Sequence, residues 1–262
     1  MPDLQALIFD VDGTLAETER DGHRVAFNRA FAAAGLDWHW AVEEYGTLLE
    51  VAGGKERIRF YLERCPEQKM GLPTSESELA DFIAELHRAK TTHYSQLLAE
   101  GQIPLRPGVE RLLAEARSHP LRLAIATTGA LPNVKSLLTH TLGGESLDWF
   151  EVIAAGDIVP QKKPAPDIYH YVLQQMNLTA DDCLVIEDSR QGLQAAIAAG
   201  LTTVVTVNPY TENHDLSGAA LVVDGLGEPD APCHAIAGTL APPTCIDLAF
   251  LQQLHATRFN SR

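Results

Sequence analysis

Six short apolar runs have the length and composition of buried parallel strands. They are residues Ala6–Phe9, Leu123–Ala126, Val152–Ala154, Leu184–Ile186, Thr203–Val207 and Leu221–Val223. Between most of these runs lie helical patterns of about ten to fifteen residues. Strands that alternate with helices predict an α/β fold with a doubly wound, parallel, Rossmann-like sheet. In such sheets the residues just beyond the carboxyl ends of the strands bind ligands.

One long segment interrupts this alternation, because residues 17–103 carry no strong strand signal and show apolar positions at helical spacing. The sequence therefore predicts a split α/β core, residues 1–16 and 104–225, with an inserted helical domain. Residues 226–262 are interpreted as a C-terminal extension. It begins with a Gly- and Pro-rich loop and contains a final helix near Ile246–His255.

The chain is acidic, with 20 Lys and Arg against 35 Asp and Glu and a formal net charge of −15. This balance argues against nucleic acid or an anionic membrane as a general partner, because both require a cationic surface. The longest uncharged stretch, residues 194–210, is interrupted by Gly200 and Asn208 and does not resemble a membrane span. An anionic substrate would need local cations supplied by its own site.

Four widely spaced cysteines form no Cys-x-x-Cys pair and are expected to be reduced thiols in a cytosolic protein. They are Cys65, Cys183, Cys233 and Cys245. The first residues do not resemble a signal peptide. The expected location is therefore the cytoplasm, or the plastid stroma if a transit peptide has been removed.

The first predicted strand is followed at once by two acidic residues. Asp10 and Asp12 come directly after Phe9, and a Gly13–Thr14 turn comes next. Two buried like charges this close are costly, and a bound divalent cation offsets that cost because hard cations prefer carboxylate oxygens. Taken alone, the pattern also fits a strand that ends in a turn with solvated aspartates.

Three further polar motifs occur later in the chain. They are Thr127-Thr128-Gly129 after one strand, Lys162-Lys163-Pro164-Ala165-Pro166-Asp167 before a helix, and Glu187-Asp188-Ser189 after another strand. Each alone has a structural explanation: a strand-end threonine, a solvated lysine, or an acidic pair that caps a helix. Together with Asp10–Thr14 they resemble, in order and spacing, the four signatures of the haloacid dehalogenase-like phosphohydrolase superfamily.

The resemblance implies phosphoryl transfer through a covalent intermediate. Asp10 is expected to attack phosphorus and form an aspartyl-phosphate, while Asp12 protonates the leaving oxygen and then activates water. The cofactor implied is Mg²⁺. Its implied ligands are Asp10, the Asp12 backbone carbonyl, Glu187 and Asp188. The groups implied to hold the phosphate oxygens are Thr127, Lys163 and the backbone N–H groups near Thr128.

The helical segment carries a second group of candidate residues. Glu19 and His23 are four residues apart and share one helix face. A Gly53-Gly54 pair opens a later helix with Lys55 and Arg57 nearby, which is suited to binding an anion. The same pattern also fits a turn followed by a solvated charged face. The resemblance implies an α-helical cap that closes over the site and favours small metabolites.

Longer strings of the sequence resemble the CbbY branch of the superfamily over roughly residues 4–225. They include Asp10–Glu19, Glu44-Tyr45, Gly53–Ile58, Gln161–Asp167 and Val185–Ser189. The resemblance implies a Mg²⁺-dependent phosphatase for xylulose 1,5-bisphosphate, an inhibitory by-product of rubisco in the Calvin cycle. The substrate-binding residues implied or proposed in the cap are Glu19, His23, Tyr45, Gly53, Gly54, Lys55 and Arg57.

Two departures from the shorter bacterial members leave questions open. The Arg20–His23 segment is one residue longer, so the alignment of His23 is not settled, and the C-terminal extension resembles cyanobacterial and plant-type relatives.

A β-phosphoglucomutase-like phosphomutase and a phosphoglycolate or broad sugar-phosphate phosphatase remain alternatives. A non-catalytic binding protein would be expected to lack at least one site residue. A cysteine phosphatase is disfavoured because Cys183 lies one residue too far from Arg190. We expect a monomer.

Overall fold

The computed structural model describes residues 3–51, 53–238 and 240–260. The chain divides into two compact units. Met1–Glu17 and Pro104–Arg262 form the first, which we call the sheet unit, and Thr18–Ile103 form the second, the helical unit. No helix in the described part of the chain is both long enough and apolar enough to cross a membrane.

A seven-stranded sheet lies at the centre of the sheet unit. Its strands are β1 (Ala6–Phe9), β2 (Arg122–Thr127), β3 (Val152–Ala155), β4 (Cys183–Glu187), β5 (Thr202–Thr206), β6 (Leu221–Val223) and β7 (Ala235–Gly238). The strand order is β3-β2-β1-β4-β5-β6-β7, with every pairing parallel except the antiparallel pair β6–β7. The predicted α/β class and all six predicted strands are confirmed.

The seventh strand corrects the sequence interpretation, in which residues 225–243 formed a loop. β7 pairs with β6 at the edge of the sheet, and all four of its residues are exposed. Because the strand is short, rich in Ala and Gly and solvated, it lacks the buried apolar pattern from which strands are recognised.

The helices are α1 (Arg24–Ala33), α2 (Val42–Leu48), α3 (Gly54–Arg64), α4 (Glu76–Ala99), α5 (Val109–Ser118), α6 (Leu131–Leu142), α7 (Asp167–Met176), α8 (Arg190–Ala198) and α9 (Leu248–Asn260). The first four belong to the helical unit and the others to the sheet unit. A short π-helix, Thr18–His23, precedes α1. Ser75 caps α4 by accepting a hydrogen bond from the Glu78 N–H at 3.2 Å.

The register of the central strands brings their carboxyl ends to one edge. Phe9 pairs with Ile125 of β2 on one side and with Ile186 of β4 on the other. The next residues of these three strands, Asp10, Ala126 and Glu187, therefore lie side by side. The chain order of the strands reverses between β1 and β4, and ligands bind at such a switch point.

Candidate active site

Four charged side chains meet at the carboxyl ends of β1 and β4, namely those of Asp10, Lys163, Glu187 and Asp188. Lys163, from the segment between β3 and α7, donates from Nζ to Asp10 Oδ1 at 2.7 Å and to Glu187 Oε1 at 2.5 Å. A third donation reaches the Ala126 carbonyl at 2.8 Å. The Lys163 and Asp10 side chains are only 6% and 10% exposed, and Glu187 is fully buried.

This cluster carries more negative than positive charge. Asp10, Glu187 and Asp188 each present a carboxylate oxygen, and these oxygens lie within 4.8 Å of one another. Burial raises the pKa of Asp10 to about 7 although Lys163 lowers it, and burial together with the Asp10 charge raises the pKa of Asp188 well above its ordinary value. Three buried carboxylates against one ammonium group fit a hard divalent cation, and Mg²⁺ prefers such oxygen ligands.

Lys163 nevertheless remains a cation. Burial alone would lower the pKa of Lys163, but the charges of Asp10 and Glu187 raise it well above its ordinary value. Its ammonium group therefore stays protonated at neutral pH. It can neutralise the carboxylates or donate to an anionic ligand.

Neighbouring polar side chains fix the orientation of the two adjacent acids. The Tyr169 hydroxyl donates to Glu187 Oε1 at 2.7 Å. The Asn208 amide donates from Nδ2 to Asp188 Oδ2 at 2.7 Å, and its Oδ1 accepts from the Tyr210 N–H at 2.9 Å. Because each side of the Asn208 amide has its own partner, the amide orientation is defined and its nitrogen faces Asp188.

The loop after β1 is closely packed against this cluster. Gly13 has a φ of +84°, and a Cβ at this position would lie 2.2 Å from Asp188 Oδ2, so only glycine fits. The buried Arg106 guanidinium donates to the Gly13 carbonyl and to the Thr206 carbonyl, and it pairs with Glu17 at 3.0 Å. Arg106 thus anchors the backbone of the loop that carries Asp12.

Asp12, in the loop after β1, lies beside the threonine segment at the end of β2. A Cβ on Gly129 would lie 2.7 Å from Asp12 Oδ2, so the absence of a side chain there makes room for this carboxylate. Thr127 is buried, and its Oγ1 accepts from the Gly129 N–H at 3.0 Å. Thr128 is exposed. Asp12 is also close enough to Asp10 for its charge to raise the pKa of Asp10.

The helical unit contains a separate polar cluster. The Tyr45 hydroxyl donates to Glu19 Oε2 at 2.6 Å and accepts from Arg57 Nη1 at 2.7 Å. Lys90 Nζ lies 2.7 Å from His23 Nδ1. Burial and the nearby cations Lys90 and Arg57, opposed by Glu19, lower the pKa of His23 to about 3. His23 is therefore neutral at pH 7, and its Nδ1 accepts the hydrogen bond from Lys90.

Comparisons with known proteins identify the family of this chain. A family model described as haloacid dehalogenase-like hydrolase matches residues 4–200. Protein CbbY of Rhodobacter capsulatus is 51% identical over 83% of this chain and 91% of its own length. This chain belongs to the haloacid dehalogenase-like hydrolases, in the CbbY family. It is therefore an enzyme of the phosphatase type, and the resemblance noted in the sequence is confirmed.

Two further CbbY relatives extend the comparison. The CBBY-like protein of Arabidopsis thaliana is 38% identical over 98% of this chain and 76% of its own length, a match that includes the C-terminal extension. A crystal structure of a CbbY variant from Rhodobacter sphaeroides in complex with xylulose-(1,5)bisphosphate matches with a TM-score of 0.69. It is 44% identical and covers 85% of this chain and 94% of that one.

The structure of this CbbY family member groups most of the residues singled out in the helical segment. Glu19, His23, Tyr45 and Arg57 lie in one cluster. Gly54 instead begins α3, directly after Gly53, and a Cβ on Gly54 would lie 2.5 Å from the His87 ring. Lys55 is exposed there.

Three side chains that contact candidate site residues in one unit or the other were missed in the sequence. Lys90 falls in register with the buried apolar positions of α4, which are Ile83, Leu86, Tyr94 and Leu97. A lysine in an apolar stripe is a usable signal of a paired or functional charge. Asn208 comes soon after a predicted strand, as Asp10 does, so the rule that identified Asp10 could also have found it. Tyr169 gave no such signal, because its helical spacing indicates only a core aromatic.

Proposed function

We propose that this protein is a Mg²⁺-dependent phosphatase that hydrolyses xylulose 1,5-bisphosphate to xylulose 5-phosphate. The observation that carries the proposal is the buried arrangement of Asp10, Lys163, Glu187 and Asp188. It places a carboxylate that can act as a nucleophile in a group whose excess negative charge suits a divalent cation. The likeness to a CbbY structure holding xylulose-(1,5)bisphosphate supports the choice of sugar.

Asp10 is the proposed nucleophile. A carboxylate oxygen of Asp10 forms a bond to phosphorus as the ester P–O bond breaks, which gives an aspartyl-phosphate and an alkoxide leaving group. Asp12 gives its proton to that leaving oxygen. It then accepts a proton from the water that attacks phosphorus, so the Asp10–phosphate bond breaks and phosphate leaves.

The remaining residues of the sheet unit hold charge. Lys163 and Thr127, with the N–H groups near Thr128, are proposed to donate to the phosphate oxygens. Asp10, Glu187, Asp188 and the Asp12 carbonyl would hold Mg²⁺. When bound, Mg²⁺ supplies positive charge that reduces the repulsion between an anionic nucleophile and an anionic phosphate.

The cluster in the helical unit is proposed to recognise the rest of the substrate. A bisphosphate has a second anionic end, and the cations Arg57 and Lys90 are suited to it. Glu19, His23 and Tyr45 offer acceptors and donors for sugar hydroxyls. The N–H groups at Gly53 and Gly54, where α3 begins, and the exposed Lys55 complete the proposed set.

Phosphate release from a small substrate panel tests the proposal. The panel contains xylulose 1,5-bisphosphate, ribulose 1,5-bisphosphate, phosphoglycolate and glucose 1-phosphate, each with Mg²⁺ and with EDTA. We expect the highest kcat/KM with xylulose 1,5-bisphosphate and loss of release in EDTA that added Mg²⁺ restores. Preferential hydrolysis of phosphoglycolate, or conversion of glucose 1-phosphate to glucose 6-phosphate, would replace the proposal with one of the alternative functions.

A further inference from the structure

Tyr169 contacts the centre of the active-site cluster, and neither the proposed chemistry nor the sequence motifs use it. The residue lies on α7, is fully buried and donates from its hydroxyl to Glu187 Oε1 at 2.7 Å. Lys163 Nζ lies 5.1 Å from the centre of its ring. A core aromatic needs no hydroxyl, and a buried hydroxyl is costly unless it is hydrogen-bonded.

The hydrogen bonds of Lys163 reveal a conflict. Its ammonium group has three N–H donors, and the structure shows three acceptors, which are Asp10 Oδ1, the Ala126 carbonyl and Glu187 Oε1. If Lys163 is to donate to a phosphate oxygen, as the proposed function requires, it must release or share one of these acceptors. Releasing an acceptor inside the protein is costly when that acceptor is left unpaired.

Glu187 Oε1 is an acceptor that Lys163 can release at low cost, because Tyr169 supplies a second donor to the same oxygen. The other oxygen, Oε2, accepts from the Asp188 N–H at 3.1 Å. A Cβ on Gly192 would lie 1.9 Å from the Glu187 carboxyl carbon, so the carboxylate is packed directly against the α8 backbone. Glu187 is therefore held in place by contacts that do not depend on Lys163.

We propose that Tyr169 is a positioning residue that holds Glu187 and so frees Lys163 to bind the substrate phosphate. The inference rests on the proposed function for the role of Lys163. Without the hydroxyl, Glu187 Oε1 keeps only Lys163 as a side-chain donor. Lys163 is then retained on Glu187, and the phosphate loses a charged hydrogen bond.

The test compares Y169F with Y171F. Both variants remove one hydroxyl from α7, and Tyr171 also packs against the apolar core. The probe is inorganic phosphate, titrated by calorimetry into the Mg²⁺-loaded protein. We expect Y169F to weaken phosphate binding about tenfold and to lower kcat/KM at least as much, as loss of one hydrogen bond to a charged group predicts. Y171F should stay within twofold of the native protein.

A double-mutant cycle with K163M tests the route of the effect. If Tyr169 acts through Lys163, adding Y169F to K163M causes little further loss of phosphate affinity. An equal loss in both backgrounds, or phosphate binding by Y169F that matches Y171F, would overturn the inference. A lower Tm with unchanged phosphate affinity would reduce Tyr169 to packing. Should K163M fail to fold, K163Q serves in its place, and the comparison of Y169F with Y171F decides independently.

Failure of this inference and failure of the proposed function give different results. If the native protein releases no phosphate from any sugar phosphate, the proposed function is wrong, whatever the phosphate-binding cycle shows. If the native protein is an active phosphatase and Y169F is indistinguishable from it in phosphate binding and in kcat/KM, only the role of Tyr169 is wrong.

Discussion

The sheet unit and the helical unit each contain a cluster of charged side chains, and the two clusters differ in the sign of their excess charge. In the sheet unit three carboxylates face one ammonium group, and burial raises the pKa of Asp10 and of Asp188. In the helical unit Arg57 and Lys90 face one carboxylate, Glu19, whose pKa is lowered: burial would raise it, but the surrounding positive charge prevails.

The difference indicates what each cluster is suited to bind. A buried excess of one charge is costly, and a ligand of the opposite sign offsets that cost. The carboxylates therefore favour a cation, and Arg57 and Lys90 favour an anion. The second cluster is the more informative, because the chain as a whole carries a formal charge of −15. Two buried cations in one place run against that composition.

Asp10→Asn tests the negative cluster and should have the largest effect. The substitution keeps the size of the side chain but removes the charge of the proposed nucleophile, so we expect kcat to fall by at least about a thousandfold. The fold should persist, because one of three crowded buried carboxylates becomes neutral. The measurement is phosphate release with Mg²⁺, together with a thermal melt.

Asp157→Asn is the matched control for this prediction. Asp157 belongs to the same unit, its side chain is 91% exposed, and it pairs only on the surface with Lys162. The control should retain native turnover. Substantial turnover in Asp10→Asn would remove Asp10 from the nucleophilic role, whereas loss of the folded state in that variant would show that the cluster depends on the Asp10 charge.

Lys90→Met tests the positive cluster, with an intermediate effect. Methionine suits the apolar stripe of α4, where Lys90 lies 5.0 Å from the Phe27 ring centre and 5.1 Å from that of Tyr94, so the variant should fold. Loss of one charged contact to an anion predicts a rise in KM of about tenfold to a hundredfold for the bisphosphate. KM for p-nitrophenyl phosphate, which has one phosphate, should change little.

Arg88→Met provides the control for charge. Arg88 lies two residues away on the same helix, is exposed, and loses the same positive charge on substitution. Its KM for both substrates should match that of the native enzyme. If Lys90→Met raises KM equally for the bisphosphate and the monophosphate, or for neither, Lys90 does not recognise a second phosphate.

The two clusters also differ in how far the sequence could predict them. Asp10, Thr127 and Glu187 each stand at the end of their own apolar strand, and parallel strands bring such ends to one edge. The local sequence pattern therefore suffices to predict most residues of the candidate site in the sheet unit. The partner of each acid does not follow from it, because Tyr169 reaches Glu187 only through the packing of α7 on the sheet.

The helical cluster depends on contacts that no local pattern encodes. Glu19 and His23 come from a π-helix, Tyr45 from α2, Arg57 from α3 and Lys90 from α4. Spacing predicts which residues share a helix face, but not which faces meet. Arg57 and Arg59 illustrate the limit. Both belong to one basic motif, yet Arg57 is buried against Tyr45 while Arg59 pairs with Glu76 at 2.6 Å.

The smallest predicted effect concerns the stability of the helical cluster at low pH. The folded state lowers the pKa of His23 from 6.5 to about 3. Below pH 6.5 His23 therefore binds a proton in the unfolded chain but stays neutral in the folded chain. The free energy of unfolding falls as the pH decreases. Because His23 is only partly shielded from solvent, we expect a loss of about 1 kcal/mol between pH 7 and pH 5.

His23→Gln should reduce this pH dependence, because glutamine can accept from Lys90 and does not titrate. The part that remains is expected from His87, whose pKa is also lowered by burial and by nearby lysines. Urea denaturation at pH 7 and pH 5, in a Trp149→Phe background, follows the helical unit through Trp38 and Trp40. His39→Gln is the control, since His39 is exposed in the same unit. Glu19 cannot mimic the effect, because its pKa is lowered from 4.5 and it titrates below this window. An equal loss of stability in native protein and His23→Gln would show that His23 is freely protonated in the fold.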